Sequence, residues 1–467
     1  MSDESGRIPV DTLIRDAVIV TMNAEREVFR RGAVAIRGRD IVAVGQSDDV
    51  AATVDAARVI DGRRFVVTPG LVNAHIHITG ETLTRGFVPD DCPFDEQIVT
   101  WLRPLYELHD ETDEHVSAKL AAVEMLRTGT TTFLEAGTIW HVDAVVDALV
   151  EVGIRARIGR RAWDLPDLPP KYRMTTDEAI AGIEDTVARH GDVAGGRIKA
   201  WSMLVGHTTS SDPLWRAARE LATAHGTGFN FHMSPAASDP AGFLAVHGER
   251  PIVHLDRLGV LADDTMLVHC VHVDDHEVAL LGRHRCNVAH CPTTALKVAY
   301  GVTQIGRMPE MVDAGVNLCI GTDGSNAGNS MDMMRATYLV AGLFKDARND
   351  PAFFPAEQAF AMATIGGARG LCADGEIGSL EVGKRADLVL HDRQRPEWVP
   401  LLDVANQLVW SADGRGVHTV FVDGRVVVED YRMTTVDEER LFALAQERAE
   451  LIVRRTGLQK PPRWKLT

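Results

Sequence analysis

Short apolar runs ending in polar residues alternate with helical stretches through the middle of this chain, and that alternation constrains the fold more than any other feature. The runs lie at 131–136, 155–160, 197–204, 228–233, 266–270 and 316–321, with two more near 66–74 and 287–290. Strands separated by helices read as βα units on a parallel sheet. Eight such runs fit a closed (β/α)8 TIM barrel. An open doubly wound sheet is the alternative, but no G-x-G-x-x-G or Walker A sequence follows any run. With 467 residues, the chain is long enough for a barrel and a further small domain.

Both ends have a different texture. Runs at 13–22, 32–37 and 41–45 carry β-branched residues around turns such as Gly38-Arg39-Asp40; similar runs return at 386–390 and 417–429, the latter folded about Asp423-Gly424. Neither end can bury a good core alone, so the two are expected to pack into one small β domain. The expected division is 1–66 and 377–467 for that domain and 67–376 for the barrel. A final helix is expected over 435–457, from the capping box Thr435-x-x-Glu438 to Gly457.

Composition narrows the class. Hydrophobic residues at 45% and charged residues at 25% are ordinary globular usage. A formal charge of −17 repels phosphate backbones and anionic membranes, so no nucleic-acid or membrane partner is expected. The start MSDESGRIPVD lacks a secretory signal and no apolar run reaches the length of a spanning helix, which gives a cytoplasmic expectation. Six cysteines without a C-x-x-C pair indicate neither a disulfide framework nor a zinc knuckle, and read as buried free thiols.

The chemistry-bearing residues sit at run ends. His75 and His77 alternate, so on a strand both face one way and can bind one metal. With 18 histidines, roughly 0.7 such pairs arise by chance, so the context has to decide. Here the pair closes an apolar run, His232 closes Phe229-Asn-Phe-His232, and Asp323 follows Leu318-Cys-Ile-Gly-Thr-Asp323, all at strand ends where a barrel places catalytic groups. Three imidazoles and a carboxylate suit one divalent metal ion, Zn²⁺, Fe²⁺, Mn²⁺ or Co²⁺; Zn²⁺ is the first expectation, although the ligand set alone does not select among them. Such an ion lowers the pKa of a bound water, and a neighbouring carboxylate can take the proton as hydroxide attacks carbon. Asp323 is the candidate base. His269, at the end of Leu267-Val-His269, is placed to orient the attacking oxygen or polarise substrate, with His272 its nearest competitor.

At these residues the sequence resembles a known family. Thr68-Pro-Gly-Leu-Val-Asn-Ala-His-Ile-His77, Val268-His-Cys-Val-His272, Val288-Ala-His-Cys-Pro-Thr293, Gly321-Thr-Asp323 and Ile377-Gly-Ser-Leu-Glu-Val-Gly-Lys-Arg-Ala-Asp-Leu-Val389 are similar to the amidohydrolase superfamily. Within it they most resemble the aminohydrolases and chlorohydrolases of triazines and adenosine derivatives. The resemblance implies a (β/α)8 barrel, a β-sandwich built from both termini, and a single divalent metal on His75, His77, His232 and Asp323. It places the histidine of the sixth strand on His269, implies a homo-oligomer acting on a small molecule, and marks His207 of Leu204-Val-Gly-His207 as a residue contacting substrate.

One departure bears on the reaction. Deaminases of this branch are similar in carrying a glutamate three residues after the fifth-strand histidine, which protonates the heterocycle's ring nitrogen. Here that segment is His232-Met-Ser-Pro235, and proline transfers no proton. An amide, urea or (thio)carbamate carbonyl needs no such acid, because the metal can stabilise its oxygen and Asp323 can return the proton to the leaving nitrogen. The leading expectation is therefore carbonyl hydrolysis, resembling phenylurea hydrolases and the thiocarbamate (molinate) hydrolase. The alternative is an aminohydrolase or chlorohydrolase of an s-triazine, purine or pyrimidine, with Asp239 or Glu249 as a displaced acid. The polar run 324–330 after Asp323 is expected to line the mouth, with Asn326 or Asn329 meeting substrate. His247-Gly-Glu249 matches half of the cytidine-deaminase zinc signature, but P-C-x-x-C is missing.

Overall fold

The computed structural model of the protein describes residues 7–165, 170–460 and 464–465. The expected terminal segments thus include 1–6, 461–463 and 466–467, which lie outside the described residues, as does part of the start read for a signal. The chain opens with β1 (Ile8–Val20), β2 (Val28–Arg37), β3 (Asp40–Gln46), β4 (Val54–Asp61) and β5 (Phe65–Pro69). The middle carries β6 (Leu71–Ile76), β7 (Thr130–Glu135), β8 (Arg155–Ile158), β9 (Ile198–Ala200), β10 (Ser202–Gly206), β11 (Phe229–Met233), β12 (Thr265–His269), β13 (Asn287–His290) and β14 (Asn317–Ile320). Then come β15 (Leu388–Asp392), β16 (Val417–Val422), β17 (Arg425–Glu429) and β18 (Arg432–Met433).

β6 to β14 form the TIM barrel, every paired neighbour parallel and helices between them. The run expected at 197–204 is two short strands interrupted at Trp201, whose N–H still bonds the Ile158 carbonyl at 2.9 Å. The barrel closes from β14 to β6 near the mouth. There the N–H groups of Thr322 and Asp323 donate to the His75 carbonyl at 3.1 and 3.0 Å. The Asn73 amide clamps Thr322 from both sides, accepting from its N–H at 3.0 Å and donating to its Oγ1 at 2.7 Å. Alternation along the strands sorts the apolar side chains: Met266 and Val268 pack with Val72, Leu134, Met203 and Ala289 in the barrel interior, while Leu267 joins the larger core.

The remaining strands make the β-sandwich domain from both termini, in the order β18-β17-β16-β15-β5-β1-β2-β3 with β4 also on β1. The termini meet where β5 runs antiparallel to β15, Val67 opposite Leu390. The run read near 66–74 is therefore two strands, β5 in this sheet and β6 in the barrel, and the expected boundary at 66/67 falls inside β5. Gly70 makes the step between them, because a Cβ there would lie 1.9 Å from Thr131 Oγ1. The last helix runs Glu438–Thr456, capped by Asp437 accepting from the Arg440 N–H, and ends at Gly457 with φ 65°. Thr435 does not cap it; its hydroxyl donates to the Val152 carbonyl at 2.8 Å. All six cysteines are free: four buried, Cys92 half-buried and Cys372 exposed. Among the described residues no helix is long and apolar enough to cross a membrane.

Candidate metal and catalytic centre

The carboxyl ends of four barrel strands converge. His75 lies on β6 and His77 just past it, His232 lies on β11, His269 ends β12, and Asp323 follows β14. His77 Nε2 stands 3.1 Å from His232 Nε2. Asp323 Oδ1 is 3.4 Å from His75 Nε2 and 3.3 Å from His77 Nε2, and its Oδ2 is 3.9 Å from His269 Nε2. Burial opposes the charge of Asp323, yet His75 and His77 beside it hold its carboxyl well below the usual range. Burial pushes His269 down to about 3, so its ring is neutral at pH 7.

The outer nitrogens are held by other groups. His232 Nδ1 donates to the Val205 carbonyl at 2.6 Å, leaving the Nε2 lone pair for the cluster. Tyr106 OH donates to Glu81 Oε1 at 3.1 Å and accepts from His77 Nδ1 at 3.1 Å, which likewise frees His77 Nε2. Both ring nitrogens of buried His75 lack a hydrogen-bond partner. Bare lone pairs converging with a carboxylate are the donor set of a divalent metal, and the residues present fit one. The backbone is strained at the same places, with positive φ at His269 (76°), Asp323 (63°) and His207 (55°). Gly324 lets Glu81 in, since a Cβ there would lie 2.1 Å from its Oε2.

These residues open onto a cavity of about 320 Å³ with aromatic and aliphatic walls that include Phe94, Ile98, Leu102, Trp163, Tyr172 and Tyr300. His207 lines it, its ring stacked on that of His232 at 5.3 Å. Asp239 lines it too, and its Oδ2 accepts from His207 Nδ1 at 2.6 Å and from the Ser234 N–H at 2.8 Å.

Other expected candidates point elsewhere. Asn326 is fully buried, donates to Thr84 Oγ1 at 2.8 Å, and does not line the cavity; its N–H bonds Glu81 Oε2 at 2.8 Å. Asn329 accepts from Lys297, and His272 Nε2 faces the Tyr300 carbonyl at 3.1 Å. Glu249 is engaged by His254 and Arg257, at 2.8 Å each. Glu81, Tyr106 and Arg161, which line the same cavity, were not singled out in the sequence. Glu81 follows His77 by four residues, which was the available signal.

The chain is similar to known proteins over nearly its whole length. The amidohydrolase family model matches residues 66–427. The 5-methylthioadenosine/S-adenosylhomocysteine deaminase of Moorella thermoacetica is 37% identical over 439 residues, covering 93% of this chain and 98% of that protein. A zinc-bound adenosine deaminase structure from Xanthomonas campestris superposes with a TM-score of 0.90 at 30% identity, over 96% of this chain and 100% of the other. The zinc-bound atrazine chlorohydrolase of Arthrobacter aurescens shares the fold, with a TM-score of 0.86 at 22% identity over 94% of this chain and all of that one.

Proposed function

This chain belongs to the amidohydrolase family and is a metal-dependent hydrolase of carbon–nitrogen bonds, and from that premise we propose that it deaminates an amino-substituted N-heterocycle of the adenine-nucleoside class. The likeness over 93% of the chain to a deaminase of 5-methylthioadenosine and S-adenosylhomocysteine carries this reading. It favours the heterocycle alternative over the urea, amide or thiocarbamate substrates expected from Pro235.

His75, His77, His232 and Asp323 would hold the metal, zinc by the precedent of the zinc-bound relatives. A divalent ion there would activate the attacking water. Asp323, ionised and 3.3 Å from His77, takes the proton of that water and passes it to the departing amine. His269, neutral and 3.9 Å from Asp323, orients the water. Addition at the amine-bearing carbon drives electrons onto the adjacent ring nitrogen, which must gain a proton; the C–N bond then breaks and ammonia leaves.

The carbonyl expectation rested on the lack of a second acid, and the Asp239–His207 pair on the cavity wall supports the reading that one is available. Asp239 pairs with His207 Nδ1 at 2.6 Å, and a doubly protonated His207 would give its Nε2 proton to the heterocycle and recover one from the hydroxyl of the adduct as ammonia leaves. The pair thus takes the role left vacant at Pro235. Glu249, bound to His254 and Arg257, does not. The test is a mass-spectrometric panel with metal-loaded enzyme, offering aminopurine nucleosides, aminotriazines, N-aryl ureas and thiocarbamates together. Exchange of an amino for an oxo group on the nucleosides is expected. Cleavage of the carbonyl compounds alone would overturn the reading.

A further inference from the structure

A second group of metal-ligating side chains lies away from the centre, where three helices that follow β10 and β11 meet. Asp212 opens the helix Asp212–His225, His247 ends the helix Ser238–His247, and His254 sits in the helix Pro251–Arg257. One ligand atom from each lies within 4.8 Å of the other two. None of the three lines the cavity at the centre. Asp239 does line it, and at 1.5 Å per residue it stands about 12 Å along its helix from His247.

His254 is the inner ligand of this group. It is fully buried, with Nε2 2.8 Å from Asp212 Oδ1 and Nδ1 2.8 Å from Glu249 Oε1. Arg257 Nε donates to the same Glu249 oxygen at 2.8 Å and holds that carboxylate in place. With an ion on Nε2, the ring proton must sit on Nδ1; of the neighbours there only Glu249 can accept it, since Arg257, 3.0 Å away, has donors alone. A carboxylate behind the far ring nitrogen is the arrangement that orients histidine ligands of metals. His247 is the outer ligand, exposed, its ring centre 3.9 Å from that of His254 and 5.4 Å from that of Phe243. Among the described residues it makes no hydrogen bond or ion pair. Gly248, with φ 72°, ends its helix and lets the chain turn so that Glu249 meets His254. The pattern His247-Gly-Glu249 thus divides into one ligand and one orienting carboxylate.

Two imidazoles and a partly exposed carboxylate suit a four-coordinate transition ion with water in its remaining position, whereas Mg²⁺ and Ca²⁺ favour oxygen ligands. Ligands in such a shell stand about 3.4 Å apart, and His247, held by no hydrogen bond, is the side chain that closes the distance.

We propose that Asp212, His247 and His254 bind a second divalent transition-metal ion of the Zn²⁺ class, which joins the three helices. The ion replaces the proton that His254 Nε2 otherwise shares with Asp212. The site does not depend on which substrate the centre takes. Full-length protein with its centre loaded is dialysed against micromolar Zn²⁺ in excess Mg²⁺, and zinc per chain is counted by inductively coupled plasma mass spectrometry. Wild type should hold one zinc ion more per chain than His247→Gln or Asp212→Asn. Both variants keep the fold by circular dichroism, because His247 is exposed and an amide at 212 still accepts from His254. Added Zn²⁺ should raise the melting temperature of centre-loaded wild type and leave those of the variants in place. Anomalous scattering at the zinc edge from a crystal equilibrated in the same way should place a peak between His247 and His254. Equal zinc counts in wild type and both variants, or a peak only among His75, His77, His232 and Asp323, overturns the second site and leaves the cluster as a hydrogen-bonded network around His254.

Discussion

Asp323 combines a strained backbone, φ 63°, with a carboxylate kept ionised against burial by the imidazoles around it. Replacing it by asparagine keeps the volume and removes both the charge and the proton acceptor. Steady-state kinetics of Asp323→Asn should show kcat reduced by about 10²- to 10⁴-fold, the usual worth of a positioned acid–base group, with the melting temperature nearly unchanged. A variant turning over like wild type would remove Asp323 from the role of base. His75, His77, His232 and Asp323 were legible in the sequence because each closes an apolar run, and a strand end in a barrel has one destination. Tyr106 and Arg161 were not legible: one comes from a helix and the other from a loop, and only long-range packing brings them to the cavity. Asn326 illustrates the converse, a polar residue of a loop beside the site whose amide is spent on Thr84.

At the scale of elements, one buried ion pair ties the barrel to the sandwich. Arg155 on β8 donates to Asp387 at 2.7 and 3.0 Å and to Asp423 at 3.1 Å, with Arg155 and Asp387 each 3% exposed or less. Asp387 also accepts the Asp423 N–H at 2.7 Å, which locks the β16–β17 turn onto the start of β15. Arg155→Met leaves two buried carboxylates facing each other, and breaking such a pair typically costs about 3–5 kcal/mol. Urea unfolding followed by circular dichroism should show a loss of that size; a loss under about 1 kcal/mol would mean that the junction does not depend on this contact. The sequence revealed the strands on either side of this junction but not the junction, because Arg155 and Asp387 are 232 residues apart. Boundaries failed for local reasons. β5 and β6 read as one run because only Gly70 separates them, and the last helix read early because Thr435 offers a capping pattern that tertiary contact with Val152 diverts.

At the scale of the whole molecule, buried neutral histidines weaken the fold as the pH falls. Burial pushes His290 down to about 4 and His391 down to about 3. Both would protonate near pH 6.5 in the unfolded chain, which therefore binds more protons between that pH and the folded values, so stability falls as pH drops through this window. Each group contributes about 1.4 kcal/mol per pH unit there. In His290→Leu the decline between about pH 6 and 4 should be shallower by one proton, read from urea midpoints against pH; an unchanged slope would show that His290 does not titrate between the two states. The barrel-plus-sandwich architecture was legible as a whole because strand periodicity reports it at every unit, whereas the choice of reaction, which Pro235 turned toward carbonyl hydrolysis, was not. The decisive measurement is ammonia release from a 5′-substituted adenosine by metal-loaded wild type, Asp239→Asn and Glu249→Gln. Release by wild type, a loss of about 10²-fold or more in Asp239→Asn and near-normal rates in Glu249→Gln are expected if Asp239 and His207 serve in place of the glutamate missing at Pro235. Equal rates in Asp239→Asn and wild type, or no ammonia from any of the three, would contradict it.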